Sequence, residues 1–110
     1  MKALIILLFT LLVNESFSQK VFSTEFSSRA QVKVFVVEFE TRADLKVFKV
    51  DNSSQAGKND GKWFFEEFES RADKKIFFVD TESQADLKIF FVEFSSRAGW
   101  RNNAKKHLMY

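Results

Sequence analysis

Lys33-Val34-Phe35-Val36-Val37-Glu38-Phe39-Glu40-Thr41-Arg42-Ala43-Asp44-Leu45 holds the plan of this chain, because variants of it occur six times. Lys20, Lys33, Lys46, Lys62, Lys75 and Lys88 each open a copy of thirteen residues. The second place is apolar and branched or bulky: Val21, Val34, Val47, Trp63, Ile76 and Ile89. The third is always Phe (Phe22, Phe35, Phe48, Phe64, Phe77, Phe90) and the eleventh always Ala. Units this short bury their apolar faces only against one another, so the copies must wrap a shared interior.

Each copy reads as one strand and one tight corner. About six residues rich in β-branched and aromatic side chains are too few for an independent helix but suit a strand. Phe35, Val37 and Phe39 alternate with Val34, Val36 and Glu38, so both faces are largely apolar and the strand is covered on two sides. The third-place rings are expected to supply much of the core, and the reading requires phenyl groups to face inward. Ser23, Thr24 and Lys49 make copies one and three more polar, which predicts peripheral places for those strands.

The corners carry the charge pattern. Glu at the sixth place accompanies Arg at the tenth (Glu25 and Arg29, Glu38 and Arg42, Glu67 and Arg71, Glu93 and Arg97), whereas Asp51 accompanies Gln55 and Asp80 accompanies Gln84. A guanidinium fork matches a carboxylate bidentately, so these are expected to be structural corner pairs, with Glu38 contacting Arg42 or an equivalent Arg of a neighbouring copy. Recurrence in equivalent settings argues against catalysis, which needs two carboxylates in unlike environments.

Lys58-Asn59-Asp60-Gly61 lengthens one connection, and copies three and six both end in Ala-Gly. The chain therefore divides into two sets of three, with a linker over 57–61 and a C-terminal cap over 99–110.

Ahead of the repeats, Met1-Lys2, the apolar run Ala3 to Val13 and the small residues of Ser16-Phe17-Ser18 have the pattern of a signal peptide helix over 1–18, cut before Gln19. The run is too short to span a bilayer. The expected mature domain, 19–110, is secreted or periplasmic. The chain has no Cys, so neither disulfides nor a thiolate metal site is available. A formal net charge of +2, with both signs interspersed, argues against a nucleic-acid surface. No phosphate loop, nucleophile elbow or metal-spaced cluster occurs, and no cofactor is expected.

The residues outside the repeat pattern are the remaining candidates. Trp63, Trp100, Arg101, Lys105 and Lys106 form a candidate partner-binding set, either stacking on sugars and holding an anionic surface or, for the indoles, packing in the core. An enzymatic reading would gather Asn59, Asp60, Asn102 and His107 in one pocket. Asn52-Ser53-Ser54 is a glycosylation triplet, meaningful only in a eukaryotic secretory protein.

The corners Thr41-Arg42-Ala43-Asp44-Leu45-Lys46 and Ser83-Gln84-Ala85-Asp86-Leu87-Lys88, the strand Ile89-Phe90-Phe91-Val92-Glu93-Phe94 and the closing Ala98-Gly99-Trp100 together carry a resemblance. From Lys20 to Trp100 the chain resembles the family of small bacterial proteins of unknown function that tie a seven-crossing (septafoil) torus knot. The resemblance implies a compact all-β single domain whose backbone winds around itself, monomeric and resistant to unfolding. Asn52 and Thr81 depart from it where an aromatic ring is usual, and Glu66 interrupts an apolar run. The function expected from all of this is that of an exported, non-enzymatic interaction module with a protein partner, or alternatively a binder of glycans or anionic surfaces.

Overall fold

The computed structural model describes residues 18–110; the rest of the expected signal peptide lies outside them. Seven strands are present: β1 Lys20–Ser23, β2 Val32–Val36, β3 Leu45–Lys49, β4 Lys62–Phe65, β5 Lys74–Phe78, β6 Leu87–Phe91 and β7 Gly99–Trp100. A three-residue 3-10 turn follows each of the first six, and Asn103–Met109 forms a longer 3-10 segment at the end.

The sheet runs β4-β1-β5-β2-β6-β3, and β3 pairs again with β4, which closes a six-stranded barrel. All six barrel pairings are parallel, and only β7 lies antiparallel, against β3. Consecutive strands within each half are not partners: each corner carries the chain over one strand of the other half. Parallel neighbours cannot be joined by a hairpin, and here a corner of eight residues does the work of a crossover. The two halves are thereby interleaved.

Register is the same at every seam. Val21 lies opposite Lys74, Val32 opposite Ile76, Val34 opposite Leu87, and Phe48 opposite Lys62, a stagger of two residues per strand. An even stagger keeps the same side chains pointing inward, while a slip of one would turn them out. Repeated six times, it supplies the tilt a small barrel needs to close.

The core therefore comes from the second place and the residue two before it, since alternate residues share a face. Val21, Val34, Val47, Trp63, Ile76 and Ile89 form one buried layer, and Val32, Leu45 and Leu87 belong to the next. Met109 closes that end, with Leu108 packed beside it. The third-place rings, expected to make the core, lie on the outer face and are only half-buried. The seventh-place rings are more exposed still: Phe26, Phe39, Phe68 and Phe94 are between 56% and 64% accessible. Phenyl groups thus face water in four copies, contrary to the sequence reading, because the seventh place falls in the corner, beyond the sheet that defines inside and outside.

Copies one and three are not peripheral. A closed ring has no edge, and Val21 and Val47 are fully buried. Their polar residues, Ser23 and Lys49, stand at the fourth place, on the inner face but at the barrel mouth. Interleaving alternates them there with the larger Phe65, Phe78 and Phe91 of the other half, and the Lys49 ammonium lies 4.5 Å from the Phe91 ring centre and 5.3 Å from that of Phe65.

Candidate functional site

The corners are held by residues other than the expected pairs. Arg29 bonds Glu69 at 3.0 Å, Arg42 bonds Glu82 at 2.8 Å and Arg97 bonds Glu40 at 2.6 Å. In each case the carboxylate is the eighth-place residue of the copy preceding in the ring. The Lys six residues after that Glu approaches it too: Lys46 near Glu40, Lys75 near Glu69 and Lys88 near Glu82. Among the described residues Glu25, Glu38, Asp51, Glu67, Asp80 and Glu93 take no part in a salt bridge, and none reaches the tenth-place residue of its own copy. The sixth place projects into solvent just after the strand ends. Arg71 lies over the ring of Phe68 instead, 5.2 Å from its centre, and Gln55 accepts from the Asn52 backbone N–H.

A second clasp, unread in the sequence, sits at the twelfth place. The backbone N–H of Gln31, Asp44, Asp73 and Asp86 donates to the carbonyl of a ring neighbour's opening Lys: Lys75, Lys88, Lys20 and Lys33 respectively. The side chains of three of them return the bond, Gln31 accepting from the Lys75 N–H, Asp44 from Lys88 and Asp86 from Lys33, each at 2.9 Å. Recurrence of Asp before an apolar residue and Lys was the available signal, since Asp readily accepts from backbone N–H groups near turns.

One concave region breaks the sixfold equivalence. At the Met109 end the inner layer is apolar on one side (Val32, Leu45, Leu87) but holds Gln19, Gly61 and Lys74 on the other. A cavity of about 510 Å³ opens there, lined in part by Gln19, Gln31, Lys58, Asp73 and Lys74. Asn59 organises it. Its Oδ1 accepts from Gln19 Nε2 at 2.6 Å and from Trp100 Nε1 at 3.2 Å, and its Nδ2 donates to the Lys106 carbonyl. Burial lowers the Lys74 pKa, and the ammonium donates to the Tyr110 carbonyl. The stretch 57–61 is thus no slack joint: Asn59 is buried, with a φ of 64°.

The candidate partner-binding set is largely spoken for. Trp63 is 0% exposed, so it cannot stack on a sugar, and its Nε1 has no partner among the described residues. Trp100 is half-buried with its indole N–H on Asn59. Arg101 donates to the carbonyls of Glu40 and Thr41, and Lys105 to that of Asp86. These bonds fasten the cap to the barrel. Lys106 contributes its carbonyl. Of the residues of the enzymatic reading only Asn59 lines the cavity; Asn102 bonds Asp44, and Asp60 and His107 are exposed. Among the described residues no helix is long and apolar enough to cross a membrane.

A closed barrel of parallel strands, with successive copies of each half two places apart around the ring, defines a protein whose backbone is wound about itself. Residues 18–101 match the family model described as the 7(1) septoil knot domain, and the chain belongs to that family. No curated protein and no solved structure matches it.

Proposed function

We propose that this protein is an exported interaction module that contacts a protein partner through the phenyl rings of its corners. The observation that carries the reading is the exposure of Phe26, Phe39, Phe68 and Phe94, at 59%, 64%, 56% and 63%. Exposed aromatic side chains are costly in water and enriched at protein interfaces. The ring order puts Phe68 and Phe26 in adjacent copies on one side, and Phe39 and Phe94 in adjacent copies on the other, with Thr81 and Asn52 between the two pairs. The barrel that carries them presents them rigidly, so little ordering entropy opposes binding. Titratable groups recur in equivalent corners, which favours binding over catalysis. The pattern of Met1 to Ser18 supports export.

Photo-cross-linking tests the reading. A photoreactive phenylalanine at position 39 or 94, in cells that make the protein, is expected to capture one discrete protein species. The same probe at exposed Ser54 should not capture it. Equal capture at all three positions, or none at 39 and 94, would refute the proposal.

A further inference from the structure

Asp73 is the one twelfth-place Asp whose clasp is incomplete. Its backbone N–H reaches the Lys20 carbonyl at 2.7 Å, as in the other corners. Its carboxylate, however, takes the Ser18 hydroxyl at 3.3 Å, while the Lys20 N–H turns to the Ser18 carbonyl at 3.0 Å. Asp44 and Asp86 instead hold the backbone N–H of the equivalent Lys. Ser18 therefore occupies both partners of a clasp made elsewhere. The next residue, Gln19, is only 4% exposed. Its backbone N–H donates to Gly57, its Nε2 to Asn59, and its Oε1 accepts from the Gly61 N–H.

We infer that the Ser18–Gln19 bond is a processing site open only before folding, and that the cavity beside Asp73 receives the new N-terminus. The inference rests on the export reading above. Hydrolysis adds one water across the bond, leaving a Ser18 carboxylate on the leader and an α-ammonium on Gln19. With Ser18 gone, the Lys20 N–H and the Asp73 carboxylate are each left with the other as partner, and the barrel gains the clasp its other corners have. The ammonium keeps the Gly57 carbonyl and faces a cavity that Asp73 lines. Because Asn59 and Gly61 hold the Gln19 side-chain amide at both ends, its carbon is kept from attack by that amine, and the terminus stays an open glutamine. Cleavage of a folded chain requires local opening around a buried residue, so the order of events is cut first and fold second.

Three measurements on the full chain test this. Folded full-length protein given signal peptidase should be cut at least ~10-fold more slowly than the same chain diluted from urea into the enzyme, and equal rates would overturn the inference. The product should begin at Gln19 with amine and amide intact; another start, or loss of ammonia through cyclisation, would overturn it. Asp73→Ala should lower the thermal midpoint of the processed protein more than that of the unprocessed one, and equal losses would overturn the clasp. These measurements use purified protein and stand apart from export. Failure of the export reading shows instead as full-length chain retained inside its native cell.

Discussion

Arg42 and Glu82 lie forty residues apart in sequence, yet one guanidinium nitrogen sits 2.8 and 3.1 Å from the two carboxylate oxygens. They are matched because their copies are ring neighbours. The same relation explains the tenth place elsewhere. Arg29 and Arg97 follow copies with Glu at the eighth place, while Gln84 and Gln55 follow copies with Ser27 and Ser95. Arg71 is the exception, following Ser53 and stacking on Phe68. Both partners of the Arg42 pair are substantially exposed, so its coupling energy should be small. A double-mutant cycle of Arg42→Gln and Glu82→Gln by urea unfolding should give about 0.2–1 kcal/mol, falling with added salt. A value several-fold larger would contradict the exposed setting.

Burial ranks the apolar positions differently from aromatic content. Leu45→Ala empties a fully buried site and should cost about 2–5 kcal/mol. Phe77→Ala removes a half-buried ring from the outer face and should cost less despite its larger side chain. Chemical denaturation of both variants gives the comparison.

Asp44 joins barrel to cap. Its carboxylate accepts from the Lys88 N–H and from Asn102 Nδ2, and its carbonyl accepts from the backbone of Arg101 and Asn102. Asp44→Ala leaves buried donors without partners and should cost about 1–3 kcal/mol. Hydrogen exchange should show the loss spreading into Asn103–Met109 first.

Lys74 stands where three other copies place Val32, Leu45 and Leu87. Burial lowers its pKa, so between the lowered value and the ordinary 10.5 the unfolded chain holds more protons than the folded one. Stability contributed by this site therefore rises with pH across that window. Lys74→Leu is expected to raise the thermal midpoint at neutral pH, and the advantage should shrink as pH climbs toward 10.5. An advantage independent of pH would point to packing alone.

Gly61 and Gly99 both have positive φ, 89° and 148°. A Cβ on Gly61 would meet the Lys46 carbonyl oxygen at 2.4 Å, whereas Gly99 has open space around it. Gly61→Ala should cost more than about 2 kcal/mol and Gly99→Ala about 1, from backbone strain alone. Thermal unfolding separates them.

Composition and period determined what each copy is. The branched apolar second place, the invariant Ala and the spacing of the opening Lys mark six strands and six corners, because side-chain size and backbone preference act within a few residues. The longer connection around 57–61 was visible for the same reason, although the burial of Asn59 was not. Ring order lies beyond such local information: equivalent copies carry nearly equivalent edges, so nothing in Glu38 or Arg42 says which neighbour each will meet. That order emerges only when six strands close with a stagger of two, and it decides the rest. It turns the third-place rings outward, moves the acidic partner from the sixth place of the same copy to the eighth place of another, and buries Trp63. It also gathers Gln19, Asn59 and Lys74 in a cavity where sixfold equivalence fails.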